Sequence, residues 1–149
     1  MTTPTPTPTE DREAIRHLMA LYNINGDRGR IDALGATFAE DGEIEFSGET
    51  STGRAAIIAR LSRGTPNPAL ELSRHHLTTS LIEIDGETAT ARSYFQVLTN
   101  RGLDHHGHYA DSLVRTPDGW RIAHRSVRID YQSADSLYAP LHVRGRAPA

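Results

Sequence analysis

Ser80-Leu81-Ile82-Glu83-Ile84-Asp85-Gly86-Glu87-Thr88-Ala89-Thr90-Ala91 and Val114-Arg115-Thr116-Pro117-Asp118-Gly119-Trp120-Arg121-Ile122 decide the fold. In each, β-prone residues run up to a turn signal, Asp85-Gly86 or Pro117-Asp118-Gly119, and resume beyond it, the pattern of a β-hairpin. Extending both ways gives four long strands, at about 72 to 84, 87 to 99, 105 to 115 and 120 to 131. Consecutive hairpins of this length predict a curved antiparallel sheet.

The upstream half has a different texture. Ile15, Leu18, Met19 and Tyr22 recur at helical spacing behind Thr9, Glu10 and Asp11, which predicts a capped amphipathic helix ending near Asn25-Gly26. Ile31, Leu34 and Phe38 share one face of a second short helix that stops at Glu40-Asp41-Gly42. Ile44 and Phe46 alternate with acids as a short strand. Gly53 introduces a third helix with Ile57, Ile58 and Leu61 buried, broken by Gly64-Thr65-Pro66-Asn67-Pro68. Helices followed by hairpins give an α+β class, with the N-terminal helices packed on the concave face of a cone-shaped sheet around a pocket. Asp135 to Pro140 is expected to form a turn or short helix over the opening.

The 149 residues suit one domain, expected at 10–143, with a disordered Pro/Thr arm at 1–9 and a flexible tail at 144–149. A net charge of −3 with interspersed signs offers no footprint for nucleic acid or membrane. The chain lacks cysteine, which excludes thiol nucleophiles, disulfides and cysteine metal sites. No apolar run is long enough for a bilayer and the N-terminus has no secretory pattern, so a cytoplasmic location is the expectation.

Tyr22-x4-Asp27, Phe38-Ala39-Glu40-Asp41, Arg74-His75 and Gly119-Trp120-Arg121-Ile122-Ala123-His124-Arg125, in this order, resemble the SnoaL-like branch of the nuclear transport factor 2-like superfamily. The similarity spans about 10 to 140 and is greatest to the group of scytalone dehydratase, bile-acid 7α-dehydratase and hexachlorocyclohexane dehydrochlorinase. It implies that Asp27 and His75 meet in the pocket as a catalytic pair, with Tyr22 beside them. Periodicity alone leaves two points open. Asp27 can instead cap the second helix, and His76 rather than His75 shares the parity of Ile82 and Ile84 unless a bulge intervenes.

The chemistry of such a pair is proton transfer. Imidazole takes a proton near neutral pH, and a carboxylate on its far nitrogen fixes the tautomer and stabilises the imidazolium. The expected activity is a cofactor-independent, dehydratase-type elimination on a small hydrophobic cyclic metabolite, with isomerisation or cyclisation of a polyketide, terpenoid or steroid as the alternative. Tyr22 is the expected donor to a leaving hydroxyl or oxyanion. A non-catalytic role, like that of the small subunits of ring-hydroxylating oxygenases that share this fold, is the rival class.

Further pocket candidates are Arg125, chosen over Arg128 three positions on, together with His108 and Tyr109. Scytalone dehydratase has a second pocket histidine on the strand after the first. This chain has Tyr94, Phe95, Gln96 and Val97 there, so Tyr94 becomes a substrate-contact candidate and a two-histidine site is not expected. His105, His106 and His108 are read as a solvated turn, or as giving one histidine to the cavity mouth, rather than as a metal site. A homo-oligomer, dimer or trimer, is expected through the outer sheet face near Ser93, Gln96 and Thr99.

Overall fold

The computed structural model describes residues 5–63 and 67–144, so Met1 to Pro4 of the expected arm, the break at 64–66 and the tail from 145 lie outside the described residues. Helix α1 spans Pro8–Asp27. Its cap is Thr7, not Thr9. The Thr7 hydroxyl accepts from Glu10 N–H while the Glu10 carboxylate accepts from Thr7 N–H at 2.7 Å, and Pro8 occupies the first turn, where no donor is needed. The helix also runs past Gly26, which makes Asp27 its last residue.

Helix α2 is short, Ile31–Gly35, and Phe38 does not belong to it. Phe38-Ala39-Glu40-Asp41 begins strand β1, Phe38–Phe46, which hairpins to a strand absent from the sequence reading, β2, Glu49–Thr52. Phe38 is fully buried and registers with Ile122, so the sheet takes a residue whose spacing also suited a helix face. Helix α3 is Arg54–Leu61, and a 3-10 turn at Pro68–Leu72 leads into β3, Arg74–Asp85. Strands β4, Thr88–Thr99, β5, Gly102–Thr116, and β6, Gly119–Gln132, complete the expected hairpins.

The six strands form one curved sheet in the order β2-β1-β6-β5-β4-β3. It is not wholly antiparallel, because β1 pairs parallel to β6. Ile15, Leu18, Met19 and Tyr22 of α1 join Phe95, Tyr109, Leu113, Ile122 and Val127 of the sheet in one core. The sheet's open end leaves a cavity rather than a filled core.

Bulges decide which side chains reach it. In β3 the register shifts between Leu77 and Ser80, so His75 and Leu77 share the inner face with Ser80, Ile82 and Ile84 despite their opposite parity. In β6 the pairing steps from Ser112↔His124 to Leu113↔Ile122, leaving Ala123 as the extra residue. Trp120 and Ile122 therefore face inward together with Arg125, Val127 and Ile129.

After β6 the chain folds back as irregular turns rather than a helix. Tyr138 and Leu141 from this segment help to wall the cavity.

Candidate active site

The cavity measures about 270 Å³, and its wall is mainly Tyr22, Ile31, Leu34, Phe95, Tyr109 and Val127, with His75 and His105 among them. Asp27 approaches from the end of α1 and His75 from the second position of β3. His75 Nδ1 lies 2.6 Å from Asp27 Oδ1, and His75 backbone N–H donates to Asp27 Oδ2 at 3.0 Å. The carboxylate thus holds both the ring and the strand that carries it. With Nδ1–H donated to Asp27, Nε2 is the nitrogen free to accept a proton. His76 is exposed on the other face.

Tyr22 is buried in the cavity wall, one turn and a half before Asp27, with its ring edge-on to Phe38 and Tyr109. Burial raises its pKa above the usual phenol value, with Arg125 opposing, so its hydroxyl is a donor rather than an oxyanion at neutral pH. Tyr109 is shifted further upward, again by burial first, and its hydroxyl donates to Asn23 Oδ1 at 3.3 Å.

Arg125 faces inward and is 0% exposed, whereas Arg128 points outward to Glu45. It does not, however, form part of the cavity wall. Its guanidinium lies beneath the wall between the rings of Tyr22 and Tyr109, at 4.2 and 4.1 Å, and makes two bonds to Asp111 at 2.8 and 2.7 Å. Its place is support of the two tyrosines rather than direct contact with a bound molecule.

Two other candidates stand outside. Tyr94 is 54% exposed because the inward residues of β4 are Ala89, Ala91, Ser93, Phe95 and Val97. The same alternation puts Ser93 inside, so it is not an outer contact position. His108 alternates with Tyr109 and points to the outer face, where its Nδ1 meets Asp130 at 3.0 Å.

One site residue escapes the sequence reading. His105 is in the cavity wall, its ring 6.5 Å from that of His75 and edge-on to it. Asp104 stands behind it, with Oδ1 2.7 Å from His105 Nδ1, so the cavity holds two histidine–carboxylate couples. Burial lowers the His105 pKa below the ordinary imidazole value, against the pull of Asp104, and keeps the ring neutral near pH 7. The signal is present as Asp104-His105, a carboxylate beside a histidine of the same inward parity as Tyr109. A strand taken to start at 105 hides it by putting His105 at a turn. The strand begins at Gly102, and a second pocket histidine is present, although on β5 rather than β4. His105, His106 and His108 do not converge, since His106 stacks on Tyr131 away from the cavity.

Among the described residues no helix is long and apolar enough to cross a membrane. The chain is 34% identical to an NTF2-like protein of cystatin-like fold from Novosphingobium aromaticivorans, with 85% of this chain and 86% of that one covered and a TM-score of 0.75. An uncharacterized protein of Mycobacterium tuberculosis, Rv2910c, is 32% identical over 77% of this chain and 82% of its own length. A Catenulispora acidiphila protein solved in complex with S-DNPA is 26% identical, with a TM-score of 0.67 and coverage of 80% of this chain and 92% of that one. Residues 7–126, with the Asp27 and His75 pair and nearly the whole sheet, match the family described as the SnoaL-like domain, and the chain belongs to that family.

Proposed function

We propose that the protein is a cofactor-independent lyase of dehydratase type acting on a small, largely apolar cyclic compound. The observation that carries this is the 2.6 Å contact of Asp27 with His75 in the wall of an apolar cavity. His75 Nε2 removes a proton from a carbon next to an activating carbonyl. Asp27 stabilises the imidazolium, and the Tyr22 hydroxyl donates to the oxygen on which negative charge develops. Neutral His105 accepts a hydrogen bond from the departing hydroxyl, which leaves as water with the proton held by His75. Return of that proton to another ring carbon would give isomerisation from the same residues.

A small-molecule occupant is in keeping with the S-DNPA complex of the Catenulispora relative. Turnover of cyclic β-hydroxy ketones is the test. Asp27→Asn and His75→Ala are each expected to lower kcat by about 10²- to 10⁴-fold, while His76→Ala leaves it unchanged. Turnover that survives both changes would remove the proposal and favour a binding module.

A further inference from the structure

The mouth of the cavity carries charge that the acid/base chemistry does not use. His75 and Tyr138 belong to the walls of two spaces, the inner cavity and an outer one of about 830 Å³ that also includes Asp27, Arg63, Asn67 and Ser73. The outer space continues into a shallow depression bordered by Arg28, Arg30, Glu71 and Arg74. Four arginines thus border these two adjoining outer spaces, with Asp27 and Glu71 among them, in a chain whose net charge is −3. They come from four places: the cap of α1, the residue before α2, the segment after α3 and the first residue of β3.

Internal duties account for these four arginines only in part. Compensating the negative end of the α1 dipole needs a cation at its cap, which Arg28 alone supplies. Asp27 takes its bonds from His75 and is within ion-pair distance of no arginine among the described residues. Arg63 lies 3.9 Å from Glu49, and Arg74 donates through Nη1 to the carbonyls of Glu71 and Ser73. Among the described residues, Arg28, Arg30 and Arg74 have no carboxylate partner.

We propose that this cluster is a binding subsite for an anionic group, carboxylate or phosphate, on a flexible arm of the substrate whose ring fills the inner cavity. The proposal rests on the reading of that cavity as the substrate site, and it adds a substrate class: an apolar ring system with an acidic side chain. Guanidiniums match the planar oxygens of either anion, and an apolar wall inside with charge outside orients such a molecule one way only. Because His75 stands at the junction of the two spaces, the reacting carbon then lies where the arm meets the ring.

Binding of naphthalene probes to the whole protein tests this, by calorimetry at low and at high salt. The probes are 4-(2-naphthyl)butanoate, its neutral amide, 4-(2-naphthyl)butyl phosphate and 2-naphthoate, whose carboxylate is too short to leave the inner cavity. The butanoate or the butyl phosphate is expected to bind about tenfold tighter than the amide, an advantage that shrinks with salt, while 2-naphthoate gains nothing. The larger of the two advantages identifies the anion. Arg28→Gln/Arg30→Gln, and the triple variant with Arg74→Gln, should erode the advantage stepwise and leave amide affinity unchanged.

Equal binding of both anions and the amide, an advantage that survives the triple substitution, or no binding of any probe would overturn the proposal. None of these readouts uses turnover. Failure of the dehydratase reading would appear instead as unchanged kcat in Asp27→Asn and His75→Ala.

Discussion

A fully buried guanidinium is tolerable only when its charge is matched. Arg125 meets that condition through Asp111 and adds the faces of Tyr22 and Tyr109 on either side. Replacing it with Met leaves the Asp111 carboxylate buried and unpaired, and urea unfolding should show a loss of about 3–5 kcal/mol. Arg125→Met/Asp111→Leu should recover much of that, because neither charge then remains. If the single variant were as stable as the parent, the pair would not be what holds the floor of the cavity. The same residue shows how far a sequence can be read. That Arg125 and not Arg128 points inward is legible from the resemblance of the last strand. That it lies under the wall is not, because stacking between two aromatic rings depends on contacts across three elements.

At the scale of elements, the bulges separate what periodicity reveals from what it conceals. Period-two alternation works within each regular stretch, and it places the four long strands to within about three residues. The Leu77/Ser80 shift is implied by the clash of parity between His75 and Ile82, and the extra residue at Ala123 by that between Ile122 and Val127, but the one at Asp130 leaves no mark that alternation could reveal. Strand starts are equally hard, and a late start for β5 hides His105. The Asp130 bulge brings β6 close to β5 at Gly107, where an added Cβ would lie 1.9 Å from the Arg128 carbonyl oxygen. Gly107→Ala should therefore force the two backbones apart. A loss on the order of 3 kcal/mol in denaturant unfolding, with cavity-probe binding weakened through displaced Tyr109, is expected. Unchanged stability would mean that the strands are further apart than this register requires.

At the scale of the molecule, two depressed carboxylates tie the first turn of α1 and the segment after β6 to the sheet, and a suppressed histidine is bonded to one of them. Asp11 near the start of α1 accepts from Arg115 at 2.7 Å and from Trp120 Nε1 at 3.0 Å, and the Arg115 bond chiefly lowers its pKa. Asp104 accepts from Ser136 and from Leu137 N–H in the C-terminal segment, and it is bonded to His105 as well. Burial pushes its pKa up, but these bonds together outweigh burial and bring it below the usual carboxylate value. Burial also acts on His105, holding it below the value it has when unfolded. The signs set two windows. From about pH 6.5 downward, the unfolded chain binds a proton at residue 105 that the folded chain refuses, so stability falls gently with pH. Below about pH 4 the unfolded carboxylates protonate before Asp11 and Asp104 do, and the stability these two contribute is lost as pH drops through their folded pKa values. Urea unfolding from about pH 8 to about pH 3 should show both limbs. His105→Gln should flatten the upper one and, by removing the bond that most lowers the Asp104 pKa, make the lower one shallower as well, whereas Asp11→Asn should lower stability at neutral pH and make only the lower limb shallower. A neutral-pH loss of about 1–3 kcal/mol is expected for Asp11→Asn, since Trp120 and Arg115 would lose a charged acceptor. If His105→Gln left the upper limb as steep as before, the titrating group there would be another histidine, and the assignment of His105 as neutral in the folded cavity would fall with it.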